Sequence, residues 1–531
     1  MKLQPVYIIA SVMMIVTLAS CKKDLLKTNT DPNAVSVDVF DPNNILTTTQ
    51  LYYTGSTDNA IEVEETEIQG AGCMIQHWAS TSGYYFGDKY LLSPGGWGSF
   101  FDHAYTYGVK NAVDLYTNTA GKPQYKNLHQ IARIMKALVF ERITDVYGDV
   151  PYFQAGQAYT KSIYFPKYDK QQAIYADLLK EVSQATDSLD ENADKPVGDL
   201  FYSGAADQIG EWKKFGNTLL LRMAMRLTKV DPTTAQSYVT KVQGLTMTSN
   251  DDNAIVAHGT NDPLTINRIW RGIGEDGAIQ LDGQISKPFI DFLQSNNDPR
   301  LPVLAYIYPA GFQPGDDPGG GSSAPGDQVG LPNGYDQGNT IHGIVNYPGY
   351  LGSVSLYSRP SPTIFNPTAP TLILTYAESE FLLADAAKRW GIGDATTHYN
   401  NGVIAAITEL SAYGPAGTIS TADATTYLTA HPYVDADGLN MINTQFWVCT
   451  FFNEYEAWSN WRRTSSASNP NGYPALIPVA SYPGSQSPGA IPRRMEYSTV
   501  DKQVNSANYN AAVAGLTGGD KITSRMWWDT P

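Results

Sequence analysis

Cysteine is nearly absent from this chain: only Cys21, Cys73 and Cys449 carry a thiol among 531 residues. That is too few for a disulfide framework, and no two of them have metal-ligand spacing. Whether Cys73 and Cys449 bridge is open from sequence. Histidine is scarce too, with seven residues, no close pair and no His-Glu-x-x-His, so a zinc hydrolase has no support. Basic charge is in deficit, 36 Lys and Arg against 52 Asp and Glu, and the net charge of −16 argues against nucleic acid or anionic lipid as a partner. No Walker loop and no Gly-x-Ser-x-Gly elbow occurs. Gly272-Ile273-Gly274-Glu275-Asp276-Gly277 matches a dinucleotide pattern, but Ala278 to Gly283 leads into another glycine and not a helix, and no alternating strands and helices surround it. No cofactor and no metal is implied. After the first twenty residues no apolar run reaches the length of a membrane span.

What the chain does have begins at its amino terminus. Lys2 precedes an apolar run, Val6 to Ala19, that is too short to cross a bilayer, and Leu18-Ala19-Ser20-Cys21 follows. This is the form of a bacterial lipoprotein cleavage site. Residues 1–20 read as a signal peptide, Cys21 as the lipidated first residue and 21–44 as a tether. Two or more acyl chains anchor stably where one does not, so the chain is expected to stay on a membrane it never crosses. Lys22, in place of an aspartate, favours the outer membrane.

Helical periodicity dominates the rest. A first helix is expected near Ile45 to Tyr53. Lys126 to Tyr147 places Leu128, Ile131, Met135, Leu138 and Val146 on one face. Asp169 and Gln172 look like a capping pair for a helix carrying Ile174 to Leu189. Trp212 to Leu227 forms another stripe, with Lys213, Arg222 and Arg226 read as a solvated or ion-paired face. Glu62, Glu64, Glu65 and Glu67 read as a solvated helical face. Tyr376 to Tyr413, two helices around Gly391-Ile392-Gly393, resembles a tetratricopeptide repeat. Such pairs stack, each burying its apolar face on the next.

Two irregular stretches interrupt the helices. Residues 309–370 hold 10 Pro and 12 Gly among 62 residues, and 469–492 is similar in kind. Loops of this length are commonly binding surfaces or lids. Tyr335, Tyr347, Tyr350 and Tyr357 punctuate the first, and the chain as a whole has 34 Tyr against 17 Phe, which suits wet recognition surfaces. Asp251-Asp252-Asn253 and Asp435-Ala436-Asp437-Gly438 have oxygens suited to calcium, but turn chemistry explains both as well.

Several blocks together resemble the SusD/RagB family of outer-membrane nutrient-binding lipoproteins. They are Thr144 to Tyr152 (TDVYGDVPY), Trp212 to Arg226, Asn297 to Leu301, Tyr376 to Leu382, Trp458 to Thr464, Ile491 to Arg494 and Trp527-Trp528-Asp529. They occur in family order behind the lipoprotein site. The resemblance implies a mainly α, SusD-like fold of tetratricopeptide-like helix pairs with long loop-rich insertions, with 45–531 as the binding domain. It also implies no catalysis, a place on the cell exterior, and a SusC-like TonB-dependent barrel to which a captured oligosaccharide, or in some members a peptide, is passed. A membrane-anchored glycoside hydrolase is the competing reading.

Sugar recognition requires flat aromatic faces ringed by planar polar groups. Trp97 is the first candidate, with Tyr84, Tyr85 and Tyr90 beside it in a glycine-broken segment. Trp270, among Asn267, Arg268 and Arg271, is the second. The Arg-Arg and Trp-Trp blocks read as packing and ion-pair features.

Overall fold

The structure, a computed structural model, describes residues 40–56, 60–93, 95–274, 283–312, 318–338 and 340–531. Cys21, the signal sequence, most of the tether and the Glu275-Asp276-Gly277 end of the glycine pattern lie outside the described residues. Asn43–Pro531 forms one compact unit.

Thirteen of its helices form the frame: α1 Asn43–Tyr53, α2 Gly96–His103, α3 Lys110–Thr119, α4 Lys126–Tyr147, α5 Gln171–Asp187, α6 Gln208–Arg226, α7 Pro232–Val242, α8 Lys287–Ser295, α9 Tyr376–Trp390, α10 Ala395–Thr408, α11 Thr421–Ala430, α12 Gly438–Cys449 and α13 Glu454–Thr464. The expected helices at 45–53 and 126–147 are there as α1 and α4. Their ends follow local chemistry. Asp207, Thr375 and Asp394 accept backbone N–H groups in the first turns of α6, α9 and α10, α7 opens on a proline, and Gly391 closes α9 at φ 69°.

Neighbours in sequence pack on one another, α3 on α4, α4 on α5, α5 on α6, α6 on α7 and α9 on α10. This is the stacking of helix pairs that the tetratricopeptide-like pattern implies. The α9–α10 crossing is close because α10 has a glycine there: a Cβ on Gly402 would sit 2.7 Å from the Phe381 ring. Each large apolar side chain buried along these stripes is worth roughly 1.5–3 kcal/mol. Four two-stranded antiparallel ladders, Trp78–Ala79 with Gln284–Ile285, Val150–Pro151 with Tyr168–Asp169, Ala254–Val256 with Thr371–Leu374, and Ala305–Tyr306 with Arg359–Pro360, clip connecting segments together.

The centre of the bundle is charged. Arg222 grips Glu141 through two bonds of 3.0 and 2.7 Å and reaches Glu378 at 3.4 Å, while Arg226 pairs with Asp145 at 2.9 Å and with Glu456. Trp528 donates its indole N–H to Asp145 at 2.9 Å. All these groups are buried. Arg222 and Arg226 are therefore ion-paired and not solvated, and only Lys213 of that trio keeps a surface pair, with Glu191. Burial pushes Glu378 up to about 8, so it holds a proton at neutral pH.

The arginine and tryptophan blocks are structural as read. Arg462 lies 3.7 Å from the centre of the Trp458 ring, Arg493 pairs with Asp529, and Arg494 donates to the Tyr147 carbonyl.

Two sequence expectations are corrected, and the pairing of the two later cysteines, open from sequence, is answered. Asp169 does not cap α5: its carboxylate accepts Tyr152 N and Phe153 N, and Asp149 of the TDVYGDVPY block accepts Gln171 N at 2.8 Å instead. The glutamates at 62–67 do not form a solvated face, because they lie at the start of a π-helical segment, Val63–Gly72, with a wider turn. Glu62 is buried and takes both the N–H and hydroxyl of Ser56, and burial pushes Glu67 up to about 7. Cys73 and Cys449 are separate free thiols. The acidic turns hold lysines, Asp252 taking Lys214 at 2.7 Å and Asp435 taking Lys388 at 2.7 Å. Among the described residues no cluster of three His, Cys, Asp or Glu side chains is placed to hold a metal.

Candidate functional site

The two irregular stretches, far apart in sequence, meet on one face together with residues 78–92. The joint is polar and buried. Asp88, fully enclosed, accepts the Asn333 amide at 2.5 Å, Gly334 N at 2.9 Å and the Lys89 ammonium at 3.1 Å. Lys89 also donates to the Ser80 carbonyl at 2.6 Å. Desolvation raises the Asp88 carboxyl, and the three donors oppose it.

A short helix, Phe86–Lys89, carries this pair, and Gly87 lets it dock. A Cβ there would be 2.4 Å from the carbonyl oxygens of Gln69 and Gly70. On its far side Tyr90 turns the chain in a left-handed conformation at φ 56°. The Tyr90 carbonyl accepts Gln486 N at 2.7 Å and its hydroxyl accepts Val479 N at 3.4 Å, which ties in the second insertion. Tyr482 closes the ring of contacts by donating to Asp336 at 2.8 Å, with its ring 5.1 Å from that of His342.

Under this face lies a small core of its own, Ala79, Leu331, Ile344 and Tyr357, with Val329, Tyr335, Tyr347, Tyr350 and Val354 around it. Tyr335 and Tyr347 meet edge to face at 5.4 Å. Tyr335, Tyr347, Tyr350 and Tyr482 are half-buried, and Ile341, Leu351 and Ile477 are exposed beside them. Rigid loops thus present half-exposed phenol rings among planar amides and carboxylates, which suits a neutral polyhydroxy ligand.

The sequence candidates divide sharply on this face. Tyr84 is 80% exposed and stands on the segment just described. Trp97 is a correction: it is 0% exposed, its ring meets Phe86 edge-on at 4.4 Å, and Tyr147 donates to its carbonyl at 2.8 Å. A ring with both faces covered cannot stack on a sugar. Tyr85 and Tyr90 are buried too, Tyr90 serving as the loop joint. Trp270 is half-buried on the short helix Arg268–Ile273, capped by Asn267, whose amide is bonded to the Ala369 carbonyl. The tyrosines at 335, 347, 350 and 482, half-buried on this face, are not among the sequence candidates. Their signal was present, since tyrosine in a proline- and glycine-rich loop is unlike a plain linker.

An interior cavity of about 50 Å³ is lined by Glu378, Glu409, Arg300 and Cys449. Burial pushes both glutamates up to about 8. The space holds one or two waters and admits no glycan, so this carboxyl pair is no glycosidase site. No helix among the described residues is long and apolar enough to cross a membrane.

Comparisons with known proteins agree with this architecture. A family model for SusD-like proteins, described as starch-binding and associating with the outer membrane, matches residues 32–498. A solved structure described as a chitin-binding protein is 32% identical, with 92% of this chain and 100% of the other covered at a TM-score of 0.77. A chitin-binding SusD homolog from Flavobacterium johnsoniae, 22% identical, shares the fold at a TM-score of 0.72 over 92% of this chain and 98% of its own. A SusD homolog from Bacteroides uniformis does so at 20% identity, 0.72, 92% and 99%. No curated protein matches the sequence. By its helix pairs, its ordered sequence blocks and the span of the family model, this chain belongs to the SusD/RagB family.

Proposed function

We propose that the chain is a non-catalytic lipoprotein, anchored through Cys21 on the outer face of the outer membrane, that captures a neutral oligosaccharide and passes it to a SusC-like TonB-dependent barrel. The observation that carries this reading is the aromatic face at Tyr84, Tyr335, Tyr347, Tyr350 and Tyr482, pinned from below by Asp88 and Lys89. The family description and the chitin-binding relative at 32% identity support a sugar ligand, with β-linked N-acetylated oligosaccharides the first class to test.

A protein that hands on its ligand must release it. Stacked rings and hydroxyl contacts on a shallow surface give dissociation constants of about 1 μM to 1 mM, or roughly 8 to 4 kcal/mol. Such contacts are insensitive to salt, and the net charge of −16 disfavours acidic glycans.

The test is calorimetric titration with chitin oligosaccharides, starch oligosaccharides and peptides in parallel. Salt-insensitive binding of one neutral glycan series is expected. Binding of peptides alone, or cleavage of the glycan on long incubation, defeats the reading.

A further inference from the structure

The two tryptophans of the closing Trp527-Trp528 pair have different fates. Trp528 is buried, donates its indole N–H to Asp145 at 2.9 Å and has the Arg462 guanidinium 4.9 Å from its ring centre. Met526 is buried too, its sulfur accepting the Gln171 amide at 3.5 Å, and Asp529 N donates back to the Met526 carbonyl at 3.1 Å. This turn is fixed from inside on both sides of Trp527, which stays half-buried with its ring 6.2 Å from that of Tyr175. A tryptophan N–H normally finds an acceptor when buried. That of Trp527 has none among the described residues.

Trp527 lines an open groove of about 610 Å³ that shares no residue with the ligand face. Thr517, Thr523 and Thr530 line it as well, and their hydroxyls have no partner among the described residues. The groove is preformed. Gly519 N donates to the Leu516 carbonyl at 3.0 Å and Ser524 donates to the Gly519 carbonyl at 2.6 Å, which folds the loop carrying Thr517 and Thr523 on itself. The Ile522 carbonyl accepts Arg493 N at 2.7 Å, and the Arg493 guanidinium in turn holds Asp529 at 2.8 Å, so loop and closing turn share one anchor.

The chemistry of the lining selects the occupant. Its charges come in pairs, Lys170 with Asp149 at 2.6 Å and Arg525 with Asp529 at 2.9 Å, so the groove offers planar polar groups without an excess of either sign. An ionic ligand gains little there. Twelve residues line the groove, fewer than the roughly 20–30 a side of a standard protein interface, whereas its volume lies within the range of about 300–1,000 Å³ typical of small-molecule sites. A half-exposed indole with a free N–H, three free hydroxyls and two paired planar groups meet the needs of a sugar ring: an apolar face to stack on and donors and acceptors for its hydroxyls.

We propose that this groove is a second carbohydrate site, taking a neutral oligosaccharide with one ring on Trp527 and its hydroxyls on the threonines. The assignment does not depend on the ligand face, whose residues are all elsewhere. On a polysaccharide long enough to reach both, the second contact raises the apparent affinity without any change in the first, because the second binding event becomes intramolecular.

The test uses a chain beginning at Lys22, which keeps the compact unit Asn43–Pro531 whole, labelled with fluorotryptophan. Fluorine NMR follows the Trp527 resonance, identified as the one that Trp527→Phe removes. The probes are hexasaccharides of chitin, starch and cellulose, with a neutral peptide beside them. One glycan series is expected to shift that resonance saturably, and to do so equally in a Tyr84→Ala/Tyr482→Ala variant of the ligand face. Thr517→Ala/Thr523→Ala, at exposed positions, should keep the melting temperature and weaken binding read from the same resonance several-fold. In calorimetry the face variant should retain a glycan-binding event that Trp527→Ala weakens by about fivefold or more. A shift of the Trp527 resonance in a protein whose ligand face binds no glycan still supports the groove, so the two readings fail separately. The proposal is overturned if no glycan moves the resonance at millimolar concentration, if only the peptide does, or if the shift vanishes in the face variant. It is equally overturned if the threonine variant binds like the parent.

Discussion

Trp97→Ala and Tyr84→Ala should have opposite effects on stability and on binding. Trp97 is 0% exposed, packs edge-on against Phe86 at 4.4 Å and adjoins Gly70 of the π-helical segment. Truncating such a residue costs about 3–5 kcal/mol through lost transfer energy and the cavity left behind. Each kcal/mol lowers the melting temperature by about 2–4 °C in a domain of 150–250 residues and by less in a longer one. A drop of several degrees is expected, with glycan affinity intact. Trp97→Phe should lose much less, because the indole N–H is buried with no acceptor among the described residues, so removing it sacrifices no hydrogen bond. Tyr84, 80% exposed, should change stability by under about 0.5 kcal/mol when truncated. If it stacks on the sugar, the lost ring contact is worth about 0.5–1.5 kcal/mol beyond area burial, or roughly two- to tenfold in affinity. Thermal melts and glycan titrations on the same samples decide it. Trp97→Ala melting like wild type while binding collapses would refute the assignment of Trp97 to the core.

Other consequences follow from the buried charges and the loop joint. Asp88→Ala leaves the Lys89 ammonium enclosed without its carboxylate and frees Asn333 and Gly334; loss of one partner of a buried pair costs about 3–5 kcal/mol, so glycan affinity should fall with increased proteolysis of the 331–357 loop, and an unchanged digestion pattern counts against the joint. Glu378 binds its proton more tightly folded, at about 8, than unfolded, at about 4.3, so stability should fall as pH rises from about 5 through 8. Glu378→Gln should flatten that slope in melts across pH, with Glu409, raised likewise, leaving a remainder; an identical slope in the variant refutes it. Cys21→Ala should abolish incorporation of labelled fatty acid, and a mutant still labelled defeats the anchor. Pull-down from solubilised outer membranes should recover a large barrel protein over an interface of roughly 1,600 Å² or more, and repeated recovery of this chain alone in mild detergent argues against the pairing.

Helices were legible in sequence where one face is apolar over several turns. The Lys126–Tyr147 stripe is α4 over those same residues, and the Trp212–Leu227 stripe falls on α6, which starts four residues earlier. Periodicity did not reveal where the polar residues between the stripes would go. Arg222 and Arg226 sit at positions that a solvated face and a buried ion pair occupy equally, and only the partners from α4, α9 and α13 distinguish them. Glu62 and Glu67 misled for a related reason: a π-helical turn shifts the face on which each side chain emerges, and nothing local in the sequence announces it. Trp97 misled because aromatic residues near glycines suit both a wet platform and a tight core. Here Gly96 and Gly98 let α2 close on Phe86 and Ser498, which seals the ring inside.

The sequence blocks that identify the family are nearly all interior. Arg222 and Arg226, Glu378, Trp458, Arg462 and Arg463, Arg493 and Arg494, and Trp528 with Asp529 are buried and bonded to one another or to backbone across the bundle. Such groups specify a frame, since each must find its partner from a distant helix or else leave a charge unpaired at a cost of several kcal/mol. Ligand contacts obey a different constraint. They must be reachable, and the exposed and half-exposed rings come from residues 84, 335–357 and 482, where the chain has almost no regular structure and no family block. What holds those loops is again buried polar bonding, Asp88 to Asn333 and Gly334 and Tyr482 to Asp336, which satisfies backbone and side-chain groups that no helix serves. The frame can therefore stay fixed while the tyrosines on the loops are exchanged, so membership of the family settles the fold and leaves the sugar to be found by binding.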